Sequence, residues 1–156
     1  MPVDVEFGLN GRIVRRELEA SELLIDTLRE GFGLKGTKRS CDVQVCGACT
    51  VLVDGLPYSS CCTLSVDVAG REVMTIEGFA EQPGFVRFES AFARHSALQC
   101  GFCTPGMLLT AKALLEQGAF GSPAEIRESM SGNLCRCTGY KSILDTLCEL
   151  AGLNPE

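Results

Sequence analysis

Cys41-Asp42-Val43-Gln44-Val45-Cys46-Gly47-Ala48-Cys49, followed by Cys61, reads C-x4-C-x2-C-x11-C. One tight loop supplies three thiols and a following strand is expected to deliver the fourth. Four soft thiolates at this spacing suit a [2Fe–2S] cluster. Zinc is the competing metal, but structural zinc sites usually pair two short C-x2–4-C knuckles. Further along, Cys100, Cys103, Cys135 and Cys137 read C-x2-C-x31-C-x-C. Taken alone, this second set is open between a cluster, a zinc site and a redox dithiol at Cys100–Cys103. Two clusters side by side would make a wire for electrons.

The two sets use eight of the ten cysteines. Cys62 follows a ligand directly, and strand alternation would turn it to the opposite face, as a small packing residue. Cys148 lies among leucines and reads as core.

The 156 residues suit one domain or two small ones, each near the size at which a metal staple matters. No apolar run is long enough to span a membrane. The N-terminus has neither a secretory pattern nor a twin arginine, so metal-bound thiolates in a reducing cytoplasm fit better than a disulfide framework. A net charge of −6 argues against nucleic acid as a partner.

The first half reads as strands around one helix. Val3 to Phe7 alternates, Asn10-Gly11 is a hairpin signal, and Arg12 to Leu18 returns. Ser21 is expected to cap a helix over 22–30 that Gly31 and Gly33 end. Strands follow at Thr50–Val53, then after the Asp54-Gly55 turn as far as Cys61, then at Glu72–Ile76. This resembles a β-grasp domain of the plant-type ferredoxin kind. The second half reads as four helices. Phe85, Phe88 and Phe92 share a face. Thr104 caps a helix with Pro105 at its first position, and Ser122-Pro123-Ala124-Glu125 is a capping box. Tyr140, Ile143, Leu144, Leu147 and Leu150 form a last stripe. The expectation is an α+β chain: a β-grasp domain over 1–77, a linker over 78–84 and, over 85–156, a four-helix bundle that holds a metal centre.

Several smaller readings accompany this. Gly47 and Ala48 let the backbone approach a cluster's sulfurs. Lys35, Lys38 and Arg39 are a solvated face, or else they balance cluster charge or dock a partner. His95 is a surface or helix-end residue. Cys103, Cys135 and Cys137 lie near helix starts, where dipoles favour thiolate. Arg136 is open between pairing with cluster charge and pairing with a neighbouring subunit.

Three motifs occur in order: Cys46-Gly47-Ala48-Cys49-Thr50-Val51, Gln99-Cys100-Gly101-Phe102-Cys103-Thr104-Pro105-Gly106, and Gly132-Asn133-Leu134-Cys135-Arg136-Cys137-Thr138-Gly139-Tyr140. Together they resemble the iron-sulfur subunit of the xanthine oxidase family of molybdenum hydroxylases, over about Val3 to Leu150. The resemblance implies that Cys41, Cys46, Cys49 and Cys61 hold a first [2Fe–2S] cluster near FAD. It implies that Cys100, Cys103, Cys135 and Cys137 hold a second near molybdopterin, with Gln99 and Cys137 against the pterin. It implies a large molybdopterin subunit, often with the cytosine dinucleotide, and a medium FAD subunit, in a heterotrimer or a dimer of heterotrimers. The small subunit would then pass electrons singly from molybdenum to flavin and carry no catalytic residue. The complex's substrate would be an N-heteroaromatic, an aldehyde, an aromatic acyl-CoA or CO. One departure is that Ser40, Asp42, Val43, Gln44 and Val45 stand where many relatives have a glycine-rich loop. A free-standing two-cluster ferredoxin and a zinc-stapled interaction module are the competing readings.

Overall fold

Strand β1 (Pro2–Leu9) and strand β2 (Arg12–Glu19) pair antiparallel from Pro2↔Glu19 to Leu9↔Arg12 in the computed structural model, which describes residues 2–155. Asn10 (φ 51°) and Gly11 (φ 78°) both take the left-handed conformation that a two-residue hairpin needs. Strand β3 (Thr50–Val53) and strand β4 (Leu56–Ser59) turn the same way through Asp54 and Gly55. Strand β5 (Glu72–Met74) lies between the hairpins, parallel to β1 and antiparallel to β3, giving the order β2-β1-β5-β3-β4.

Helix α1 (Leu24–Asp26) continues as a wider turn over Thr27–Gly31 and buries Leu24, Thr27 and Leu28. It starts later than the sequence suggests, and Ser21 does not cap it. Leu23 is extended and bridges to Leu64, which holds the preceding backbone out of the helix.

β3 is buried on both faces, and its period of two splits it between two cores. Val51 and Val53 join Leu24, Leu28, Val5 and Phe7 in one core. Leu52 joins the helical core on the other side. Helix α4 (Thr104–Glu116) packs on β3 and is buried continuously from Gly106 to Ala113. Helices α3 (Phe85–Arg94), α5 (Pro123–Ser129) and α6 (Lys141–Ala151) complete this layer. The two halves therefore meet across one strand.

Glu72–Ile76 was expected to be a strand, but β5 ends at Met74 and helix α2 (Ile76–Ala80) begins at once. The Asn10 side chain accepts from the Thr75 N–H (2.8 Å) and donates to the Thr75 hydroxyl (3.0 Å), ending the extended run. The stretch 78–84, read as a linker, thus opens inside a helix. Its Phe79 is fully buried and meets Phe85 and Phe88 edge to face at 5.2 and 5.1 Å. Phe79→Ala is expected to cost about 3–5 kcal/mol by cavity formation. Denaturant unfolding would measure this, and a loss below about 1 kcal/mol would contradict the packing role.

Ser122 caps α5 by accepting from the Glu125 N–H at 3.2 Å. Glu125 reaches Gly121 N–H rather than closing the box on Ser122. Thr104 is the first residue of α4, not its cap; Cys103 holds the cap position. His95 ends α3, as expected of a helix-end residue, and pairs with Glu149 on α6 at 2.6 Å. Arg94 also bonds Glu149, and the hydrogen bonds from Arg94 and then His95 hold that carboxyl below its usual range. No helix among the described residues is long and apolar enough to cross a membrane.

Candidate metal centres

The loop carrying Cys41, Cys46 and Cys49 runs from α1 to β3. Its backbone alternates in hand, with Asp42 (φ 56°), Gln44 (φ 59°) and Gly47 (φ 70°) all left-handed. Alternation of this kind turns successive N–H groups inward to form an anion-binding hollow. Here the N–H groups of Val45 and Cys46 both point at Cys41 Sγ, each at 3.4 Å. The N–H groups of Val43, Cys46 and Val45 pull the Cys41 thiol down to about 6. The loop is thus shaped for negative sulfur, with Asp42 and Gln44 rather than glycine at two of its left-handed positions. Aspartate tolerates the left-handed region through local hydrogen bonding, while Gln44 pays about 1 kcal/mol for it. Val43 and Val45, at the intervening positions, point outward and are 64% and 57% exposed.

Cys49 and Cys61 are buried together against Ile25. Burial pushes the Cys49 thiol up to about 12. A metal inverts this preference, because a coordinating thiol is deprotonated outright. Cys61 does not come from a strand. β4 ends at Ser59, and Ser60–Cys62 form a tight helical turn. The Ser60 hydroxyl donates to the Cys49 carbonyl at 2.7 Å, which holds that turn against the loop. Cys62 is therefore not on an opposite, packed face. It is exposed, with its sulfur 3.7 Å from that of Cys61. Cys148 is buried in the helical core as expected.

The basic residues ahead of the loop are mostly engaged locally. Arg39 bridges Asp26 on α1 (3.1 Å) and Asp42 in the loop (3.4 Å). Lys35 pairs with Glu30, and Lys38 donates to the Lys35 carbonyl.

The second set gathers at the start of α4 and in the segment before α6. Cys100 and Cys137 lie with their sulfurs 3.5 Å apart, both exposed. Cys103 and Cys135 sit deeper, in mutual contact. Burial pushes Cys103 up to about 12. Burial would raise Cys135 as well. The Thr138 hydroxyl at 3.1 Å, the N–H groups of Thr138 and Cys137, and the Cys103 thiol outweigh it and hold Cys135 lower. Together with Ser40, Cys46, Ala48, Phe102, Leu134, Arg136 and Tyr140, these four cysteines line a cavity of about 430 Å³. Gln99 is exposed beside Cys100.

Tyr140 is not part of the α6 stripe. It takes the left-handed conformation just before the helix (φ 70°), and its hydroxyl accepts from the Cys135 N–H at 3.0 Å. Its helical spacing to Leu144 concealed this role. Tyr140→Phe is expected to free that N–H and loosen the second centre by about 1 kcal/mol. The check is faster loss of that centre to a chelator, with the first unchanged.

Among the described residues no three His, Cys, Asp or Glu side chains gather as closely as one mononuclear ion requires. In each set thiols pair instead: Cys49 with Cys61, Cys100 with Cys137 and Cys103 with Cys135. Cys41 and Cys46 stand together in the same way.

The two sets meet directly. Leu134 N–H donates to the Cys46 carbonyl at 2.9 Å, one residue before Cys135. Buried Asn133 donates its amide to the Gly47 carbonyl at 3.3 Å. A Cβ on Gly47 would lie 2.5 Å from the Gly132 carbonyl, and one on Gly106 would lie 2.2 Å from the Gly47 carbonyl. Only glycine permits this approach. The sequence marked these residues as motif members but assigned Gly106 and Asn133 no task, since the contact joins positions far apart in the chain.

Residues 75–148 match the family model of the [2Fe-2S] binding domain. The chain is 42% identical over 150 residues to the nicotine 6-hydroxylase small subunit of Paenarthrobacter nicotinovorans, covering 96% of this chain and 90% of that one. It is 43% identical over 141 residues to the nicotinate dehydrogenase small FeS subunit of Eubacterium barkeri, covering 90% of each. In the crystal structure of quinoline 2-oxidoreductase from Pseudomonas putida 86, a chain superposes with a TM-score of 0.90 at 45% identity, covering 96% of this chain and 93% of that one. Aldehyde oxidoreductase from Desulfovibrio gigas superposes with a TM-score of 0.87 at 36% identity, with 96% of this chain matching 17% of that longer one. Paired thiols in a β-grasp and helical frame, with relatives matched over nearly their whole length, place this chain in the iron-sulfur subunits of the xanthine oxidase family of molybdenum hydroxylases, as an oxidoreductase component.

Proposed function

We propose that this chain carries electrons one at a time from a molybdopterin centre on a large partner subunit to FAD on a medium one. Two [2Fe–2S] clusters supply the one-electron chemistry. Cys41, Cys46, Cys49 and Cys61 hold the first, and Cys100, Cys103, Cys135 and Cys137 hold the second. The observation that supports this is the hydrogen bond from Leu134 N–H to the Cys46 carbonyl, which brings Cys46 of the first set beside the residue that precedes Cys135 of the second.

The chain's own groups divide the work. The left-handed loop aims N–H donors at Cys41, and Thr138 with Tyr140 orients Cys135. Such donors stabilise the reduced, more negative state. Gln99 and Cys137, exposed at one end, are the contacts for the pterin, carried in bacteria as the cytosine dinucleotide. Exposed Phe102, Leu134 and Tyr140 rim that end and suit a covering partner. The assembly is a cytoplasmic heterotrimer or a dimer of heterotrimers. In organisation, residues 1–77 form the β-grasp unit and 85–156 the helical unit, with 78–84 between them. The substrate is an N-heteroaromatic, an aldehyde, an aromatic acyl-CoA or CO.

The test is electron paramagnetic resonance of the dithionite-reduced native complex, with iron, sulfide and molybdenum quantified on the same sample. Two distinct spin-½ iron-sulfur signals with molybdenum are expected. One signal or none, with zinc in place of iron, would overturn the reading.

A further inference from the structure

We propose that Asn133 is a positioning residue that sets the separation of the two clusters, an inference that rests on the two-cluster reading above. Asn133 is 5% exposed, a polar side chain enclosed where the first cysteine loop, the start of α4 and the second cysteine segment meet. Its amide nitrogen donates to the Gly47 carbonyl at 3.3 Å. That same carbonyl accepts from the Thr50 hydroxyl at 2.7 Å and the Thr50 N–H at 3.2 Å. Thr50 opens β3, the strand shared by both cores, so the carbonyl is anchored to the most deeply held element of the fold.

On its own side Asn133 is equally fixed. Its backbone N–H donates to Met130 at the end of α5, and Met130 is buried in the helical core. Asn133 therefore ties a carbonyl anchored to the sheet to a backbone anchored to the bundle. The next residue, Leu134, makes the Cys46 contact, and the one after it is Cys135. With both clusters bound, a single electron passing from the second to the first would oxidise one and reduce the other, and this contact would set the gap it crosses. Gly47 and Gly106 permit the approach and Leu134 joins it through backbone alone, whereas Asn133 is the buried side chain that reaches across it.

The experiment uses the native complex carrying Asn133→Ala and, separately, Gly106→Ala. The second drives a methyl group against the Gly47 carbonyl and separates the same surfaces while keeping Asn133. The readout is the magnetic splitting between the two reduced clusters, which depends on their distance and which a general loss of stability does not move. Flavin reduction by substrate is followed alongside. The expected result is two clusters at full iron content, with the splitting lost and electron arrival at flavin slowed in both variants. Should either variant fail to assemble, the other decides. An unchanged splitting in an iron-replete Asn133→Ala complex would overturn the inference and leave the two-cluster reading intact. Absence of two signals in the unmodified complex would instead bring down that reading.

Discussion

Replacing Cys49 by serine is expected to abolish the first cluster and stop electron delivery to flavin, while substrate still reduces molybdenum. Cys49 is buried beside Cys61 under Ile25, so no solvent ligand can take its place. A serine hydroxyl is a harder donor than thiolate and fits iron–sulfur coordination poorly. Changes in outer-shell partners of metal ligands already cost roughly 10–100-fold in affinity or activity. Loss of a buried ligand should exceed that range in steady-state turnover. The measurement is turnover with the first cluster's spin signal on the same sample. Cys62→Ser is the matched control, because Cys62 lies 3.7 Å from Cys61 yet is exposed. It should retain both clusters. Normal turnover in Cys49→Ser would refute the wire, and loss of the first cluster in Cys62→Ser would reassign the fourth ligand.

Gly47→Ala is expected to be the most damaging change among the residues where the two cysteine sets meet. The left-handed backbone there costs a residue with a Cβ about 1 kcal/mol. The new methyl would also lie 2.5 Å from the Gly132 carbonyl and 2.6 Å from the Asn133 amide nitrogen. The Gly132 carbonyl is backbone and the Asn133 side chain is buried, so neither has much room to yield, and overpacking adds about 1–3 kcal/mol. Gly55→Ala isolates the first contribution, because Gly55 is left-handed (φ 80°) with nothing within 4 Å of an added Cβ. Denaturant unfolding of both variants gives the difference. Equal losses would mean that the junction does not need a glycine.

Local chemistry made much of the chain legible. The hairpins at Asn10-Gly11 and Asp54-Gly55 follow from residues that accept left-handed backbone, and both form as read. Short-range rules failed where a distant partner intervened. Leu64 draws Leu23 out of α1, and Asn10 starts α2 where strand pattern continued through Ile76. Cys62 illustrates the same limit. Alternation assigns it a face only while the strand lasts, and the Ser60 hydroxyl ends that strand by bonding Cys49.

Thiol spacing along one chain was sufficient to mark the two cysteine sets, because ligand type and loop length are local properties, while the metal of the second set stayed open until the three family motifs were read together. How the sets face one another was not readable that way. The 2.9 Å contact from Leu134 to Cys46 and the glycine approach at Gly47 and Gly106 join segments that only the packing of α4 on β3 brings together. Sequence marked two cysteine sets; tertiary packing decided that they touch, since contact between distant loops is set by the layer that separates them.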